Sequence, residues 1–363
     1  MARRAGPSVC VIGAGAIGLC SALELARRGA GAVTVVEARH VAAGSSVLSV
    51  GMVETQYLEP LDVELRVRSM RTFARLEHEH GLRVVRNGYL RLGHSAEVHA
   101  AFARSVEIQS ELGVRDARVL DREQLGGLIP DMRVDDVQAG LWGPSDGYID
   151  GPLYCGLLGE LAVRAGAELR LGCELLGAER RGGGGLRLST SAGQLECDVA
   201  VDAAGPWAGN VARRLGCEME LIPQRRQACV AHLPRELSYV MPSVVDYTPG
   251  SGEPGVYFRH DGAGRLVAGL HSDEPLGTAE DPDRYVRDAD DEFLEDLARA
   301  LAGRLPRLSG LRLAGGWAGL YPMSTSGKPL VGPSCADGAV IVVGAGGAGI
   351  QLSPVLGELV ADW

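Results

Sequence analysis

Three glycines, Gly13, Gly15 and Gly18, stand between a buried-strand pattern and a helical one, and an acid closes the unit. Ser8 to Ile12 is a short apolar run, long enough for one strand of a sheet covered on both faces. From Ile17 through Leu19, Ala22, Leu23, Leu25 and Ala26 the apolar positions recur at three and four, which is helical spacing. Gly29 and Gly31 break that helix, and Val33 to Val36 makes a second strand ending on Glu37. Glu37 lies 19 positions after Gly18, where a dinucleotide-binding βαβ unit puts the carboxylate that holds a ribose hydroxyl. The glycines suit a tight turn, an approach of bare backbone to a pyrophosphate, and close helix–strand contact. The pyrophosphate would rest on the amides and positive dipole end of the helix, beside Ala16 and Ile17. A glycine-rich packing turn with no ligand is the alternative.

The 363 residues are ample for a large core. A net charge of -10 argues against nucleic acid or an anionic membrane as the main partner. Eight cysteines are scattered with no C-x-x-C and no His–Cys cluster, so they read as small buried hydrophobes rather than disulfides or metal ligands. That pattern fits a reducing compartment, the cytoplasm. The residues from Met1 to Arg4 and the apolar stretch behind them are better explained by the first strand and glycine turn than by a secretion signal. No apolar run reaches the roughly 18 residues of a membrane span.

Gly44 to Met52 is a small-residue loop, and 61–80 reads as a helix. Residues 84–92 read as strand, 96–112 and 153–165 as helices, and 168–171 as strand. Gly182 to Gly185 marks a hairpin turn. Asp198 to Asp202 is a buried strand that runs into Ala203, Ala204, Gly205 and Trp207. Residues 219–232 and 254–271 are strand-like, and 290–305 is helical. Ala339 to Val343 is a last buried strand, followed by Gly344 to Gly349 and the helix 352–363. Nucleotide-type elements near both ends and in the middle therefore alternate with two strand-rich segments. The expected fold is α/β: a Rossmann-like cofactor domain from 1–83, 141–217 and 312–363, interwoven with an α+β substrate domain on a mostly antiparallel sheet from 84–140 and 218–311.

With these blocks in order, the chain resembles the D-amino-acid oxidase superfamily of FAD-dependent oxidoreductases, which includes glycine oxidase, sarcosine oxidase and the D-amino-acid dehydrogenases. The matching stretches are Gly13 to Glu37, Gly44 to Gly51, Asp146 to Asp150, Ala203 to Trp207, Tyr257 to Arg259, Gly316 to Pro322 with Lys328 to Gly332, and Gly346 to Gln351 with Pro354. The resemblance implies FAD and oxidation of a C–N bond by hydride transfer to flavin N5, giving an imine that hydrolyses. Carried over, Gly13, Gly15, Gly18, Glu37, Ala38 and Arg39 match diphosphate and ribose positions. Ser45, Ser46, Gly51 and Met52 match the loop under the pyrophosphate and flavin. Leu175 matches an adenine contact, and Ala203, Ala204, Gly205 and Trp207 a turn near the dinucleotide. Gly346, Gly347, Ala348, Gly349, Ile350 and Gln351 match flavin-ring contacts. Gly319 and Leu48 stand where relatives carry a flavin-linked cysteine or histidine, which implies non-covalent FAD.

For the substrate, the resemblance implies Tyr57, Tyr321, Gln351 and His271 at the flavin face, with Arg226 or Arg259 anchoring an acid group. Arg225 is a competing register for Arg226. Tyr321 replaces a carboxylate-binding arginine of relatives. Glu54 aligns with another and reads as an exposed loop carboxylate or a group for a cationic amine. The implied partners are an amine or amino acid and oxygen or another electron acceptor. A flavin 2-hydroxy-acid dehydrogenase, for which His271 is the one good base, a nicotinamide-dependent dehydrogenase and a degenerate flavoprotein subunit are the alternatives.

Overall fold

The computed structural model describes residues 6–248, 254–271 and 276–363. Val9–Ile12 lies inside a six-stranded sheet with the order Leu330–Pro333, Ala339–Val343, Val199–Asp202, Val9–Ile12, Val33–Glu37, Glu168–Leu171. Its pairs are parallel except at the Leu330–Pro333 edge. Parallel strands buried on both faces need apolar side chains at every position, which is why Val9 to Ile12 shows no polar alternation. Val11 and Val35 pack with Leu19, Leu23, Tyr154, Leu158 and Val355 of helices Ala16–Arg27, Gly151–Arg164 and Gly349–Asp362. Cys10, Ile12, Val36 and Ala200 face the other way, onto Leu175, Leu186 and Leu188 of a three-stranded sheet. Burying each such leucine contributes roughly 1.5–3 kcal/mol.

The second layer is an eight-stranded sheet, in order Arg312–Ser324, Leu221–His232, Arg265–His271, Gly255–His260, Ser243–Asp246, Tyr89–Gly93, Ala139–Gly143, Arg118–Leu120. Every pair is antiparallel except Ser243–Asp246 with Tyr89–Gly93. Cys229, Val256, Phe258, Leu266, Ala268 and Leu90 form one face and bury Leu297 and Leu301 of helix Asp291–Arg304. Side chains alternate across a strand. Arg226, His271, Tyr257, Val245 and Arg91 therefore share the opposite face, and all of them line a cavity. The α/β class with a mostly antiparallel second sheet is as expected.

Several expectations need correction. Cys217 and Cys335 are paired as a disulfide, tying the segment after helix Ala208–Arg214 to the turn before Ala339–Val343. The other six cysteines are free and buried. The strand expected over 84–92 is two pieces, Val84–Val85 pairing with Gly147–Ile149 and Tyr89–Gly93 joining the large sheet. The expected domain boundary at 141 falls inside the strand Ala139–Gly143, and the one at 312 separates the whole of Arg312–Ser324 from the sheet it pairs in. Arg312–Ser324 pairs along its length with Leu221–His232, and those backbone hydrogen bonds commit it to the second layer.

Candidate functional site

A cavity of about 1160 Å³ runs between the two sheets. Two helix N-termini open into it. The first follows the turn at Gly13, whose φ of 108° is accessible to glycine and costly for other residues. A Cβ on Gly18 would come 2.0 Å from the Gly13 carbonyl oxygen, so helix and turn approach as closely as bare backbone allows. Neither Gly15, which begins this helix, nor Ala348, which begins the last one, supplies a side-chain cap. The positive ends of two helix dipoles thus face one space.

At the far end Glu37 receives the Ala14 amide on Oε2 at 2.9 Å and the Arg39 amide on Oε1 at 2.8 Å. Its carboxylate is fixed there with lone pairs left for hydroxyl donors. The Arg39 guanidinium lies 4.5 Å from the Trp207 ring centre, and Trp207 donates to Asp283 at 2.9 Å. Ala38, Leu175, Ala203, Ala204 and Gly205 complete this end. The Leu175 carbonyl is already taken by Arg214. Ser46 Oγ accepts the Ala16 amide at 3.2 Å, and Ser45 Oγ donates to the Leu320 carbonyl at 2.6 Å. Met52, Ile17 and Gly346 to Gln351 line the middle. An acidic acceptor at one end, glycine turns with free amides between, and a small-residue turn opposite fit the ribose, pyrophosphate and ring system of FAD. Gly18 and Gly51 do not line the cavity. A Cβ on Gly51 would meet the Ile149 carbonyl at 2.0 Å, so both glycines act through packing.

The other end is polar. Gln351 is buried, accepts from Arg66 Nε at 3.1 Å and donates to the Glu54 carbonyl at 2.8 Å. Tyr57 is stacked under Arg66, 3.3 Å from guanidinium carbon to ring centre, with Arg91 at 5.1 Å. Tyr321 packs over the glycine turn, where a Cβ on Gly347 would lie 2.5 Å from its ring. Burial first, then Tyr57, raises the Tyr321 phenol, with Arg226 opposing. It is a neutral donor. Arg226 faces the cavity, while Arg225 points outward to Asp290 at 2.6 Å; strand alternation settles the register. His271 meets Tyr247 edge-on, ring centres 4.3 Å apart. Its ring fronts the open cavity with protein around it. Desolvation, then the charges of Arg91 and Arg226, hold its imidazole down at about 4.

Arg259 is not part of this wall. It donates to the Val50 carbonyl at 2.8 Å and to Asp261 at 3.1 Å, and it stacks on Tyr148. Its donors serve the Gly44–Met52 loop from behind. Glu54, expected to be exposed, is 3% exposed and lines the cavity, and burial pushes its carboxyl up against the pull of Arg91 and Arg66. Sequence reading missed Arg66, Arg91, Tyr89, Tyr247 and Tyr257. Arg66 sits among Val63, Val67 and Met70 on the apolar side of its helix, and Arg91 alternates with Leu90 and Leu92 in its strand. A charge inside an apolar pattern was the available signal.

Comparison with known proteins agrees with this geometry. A family model described as FAD dependent oxidoreductase matches residues 8–363. Mitochondrial sarcosine dehydrogenase of Mus musculus is 26% identical over 98% of this chain, which spans 39% of that protein. This chain is thus about two fifths as long as that relative. Sarcosine oxidase subunit beta of Rhizobium meliloti is 25% identical, with 96% of this chain and 82% of that one covered. The crystal structure of L-proline dehydrogenase from P. horikoshii superposes with a TM-score of 0.86 at 24% identity, covering 99% of this chain and 93% of that one.

Proposed function

The chain belongs to the family of FAD-dependent oxidoreductases, and from that membership we propose that it oxidises the C–N bond of a small amine or amino acid. The observation that carries this reading is the one cavity that joins two glycine-turn helix ends to a wall of Tyr57, Arg91, Arg226, His271 and Tyr321. Gly13, Gly15, Ser46 and Glu37 would hold the diphosphate and ribose of FAD. Gly346 to Ile350 would lie against its ring. When bound, FAD supplies a two-electron acceptor, so the substrate leaves as an imine that water hydrolyses. The chain's own part is to orient the substrate and to exclude water. Arg226 presents a planar fork to a carboxylate. Tyr57 and Tyr321 form the walls, and Gln351 holds Arg66 and the Glu54 backbone in place.

FAD is proposed to bind without a covalent link, since Gly319 and Leu48 pack against each other and offer no linking atom. Sarcosine dehydrogenase and sarcosine oxidase among the relatives support an amine substrate. Oxygen or another acceptor would take the electrons, and a net charge of -10 speaks against a role for nucleic acid. Among the described residues no helix is long and apolar enough to cross a membrane. Anaerobic mixing with amines and with 2-hydroxy acids tests the reading. Bleaching of bound flavin by an amine and by no hydroxy acid is expected, and the reverse would overturn it.

A further inference from the structure

Helix Ala208–Arg214 follows the small-residue turn from Ala203 to Trp207, and Asn210, Val211 and Arg214 line the cavity at the end that holds Glu37. The helix closes through Cys217, whose amide donates to the Ala212 carbonyl at 2.9 Å, with Gly216 at a φ of 85° making the reversal. Val211, Leu215 and Cys217 pack in one cluster with Leu175, Ala336 and Ala339. The Cys217–Cys335 bond then joins this helix end to the turn between Leu330–Pro333 and Ala339–Val343. Ala339–Val343 is the parallel neighbour of Val199–Asp202, the strand that leads into the small-residue turn. One bond thus pins a wall of the cofactor end to the sheet, across 118 positions of chain.

The two sulfurs are placed differently. Cys217 is buried, while Cys335 stands on an exposed turn. Ser334 Oγ donates to Cys217 Sγ at 3.5 Å, so negative charge left on that sulfur has a donor. The Glu218 carbonyl lies 3.5 Å from Cys335 Sγ and 3.6 Å from Cys217 Sγ, an acceptor at hand for either thiol. The site therefore satisfies the dithiol as well as the disulfide. The other six cysteines are buried, and burial pushes the Cys20 and Cys155 thiols up to about 12. Thiol chemistry near neutral pH is confined to the thiolate form and to accessible sulfur, and exposed disulfides are the labile ones.

Resting on the reading that FAD fills the cavity, we propose that Cys217–Cys335 is a redox modification site that sets how tightly the chain holds its cofactor. The reductant is an external dithiol. Its thiolate attacks Cys335 Sγ, forming a mixed disulfide as the Cys217–Cys335 bond breaks, and Cys217 leaves as a thiolate beside Ser334 and takes up a proton. The second thiol of the reductant then displaces Cys335 as a thiol. Two electrons pass to the protein, and the dithiol ends as a disulfide. Helix Ala208–Arg214 keeps its apolar cluster but loses its covalent tie, and the wall that carries Asn210, Val211 and Arg214 loosens.

The test follows the fluorescence of FAD released on dilution of the holoenzyme. It is measured before dithiothreitol, after it, and after reoxidation, with native thiols titrated at each stage. Dithiothreitol should expose two thiols per chain and speed FAD release on the order of tenfold, and reoxidation should restore slow release. The double variant Cys217→Ser, Cys335→Ser should release FAD quickly whether or not dithiothreitol is present. The wild-type stages decide the matter even where the variant folds poorly. Equal release from the disulfide and dithiol forms overturns the proposal and leaves the cofactor reading standing, as does a native chain whose disulfide resists dithiothreitol. A chain that holds no FAD in either form overturns both.

Discussion

Asp202 gives the sharpest quantitative prediction, because it is a carboxyl buried where the cofactor turn begins. It ends the strand Val199–Asp202 and is fully buried. Oδ1 accepts the Ala204 amide at 3.1 Å, while Oδ2 has no hydrogen-bond partner among the described residues. Burial pushes the carboxyl from 3.8 to about 7, with the Ala204 amide opposing. The folded value lies above the unfolded one, so the folded chain binds the proton more tightly. The associated stability is fully present below pH 3.8 and is lost as the pH rises through 7. The gap between about 7 and 3.8, at roughly 1.36 kcal/mol per pH unit, is about 4 kcal/mol. Asp202→Asn keeps the acceptor for Ala204 and cannot ionise. It leaves a buried amide N–H₂ costing roughly 1–3 kcal/mol at any pH. The difference between the melting temperatures of wild type and variant at fixed excess FAD should therefore change between pH 5 and pH 7 and then stay level to pH 9. The variant should gain several degrees on the wild type between pH 5 and pH 7 and nothing further by pH 9. Parallel melting curves across that range would refute the assignment of a near-neutral buried carboxyl.

Other predictions follow from the same geometry. Gly18→Ala places a methyl 2.0 Å from the Gly13 carbonyl and should yield poorly folded protein without flavin. Gly15→Ala meets only Ser46 Oγ at 3.3 Å, so it should fold normally and bind FAD about tenfold more weakly by equilibrium titration. Glu37→Ala frees the Ala14 and Arg39 amides and removes the ribose acceptor, so FAD affinity measured the same way should fall about ten- to a hundredfold. With the His271 imidazole at about 4, the pH profile of flavin reduction should show no step from this group above pH 5, and His271→Asn should leave the shape of the profile unchanged. A step that disappears in the variant would contradict that.

The cofactor half of the cavity was legible in the sequence because backbone makes it. Glycine spacing, a short apolar strand and one acid at the right distance dictate a turn and a dipole, and Gly13, Gly15, Ala16 and Glu37 lie along the cavity. The substrate half is made by side chains that meet across strands far apart in the chain. Nothing in the local pattern around Arg91 says that Ser243–Asp246 will lie beside it, in parallel, and carry its row on to Tyr257. Arg259 misled because it shares the cavity face with Tyr257, two residues before it, but lies farther along the strand, where its guanidinium is drawn away to Val50 and Asp261. The Cys217–Cys335 pair joins residues separated by 118 positions, a closeness set by the packing of helix Ala208–Arg214 and not by any spacing of cysteines.

The most direct test of the central claim, that the two glycine-turn helix ends grip one dinucleotide, is the flavin content of the purified chain after acid denaturation. A single FAD per chain, recovered intact in the supernatant, is the predicted result. A colourless protein that gains no flavin when FAD is added would contradict it.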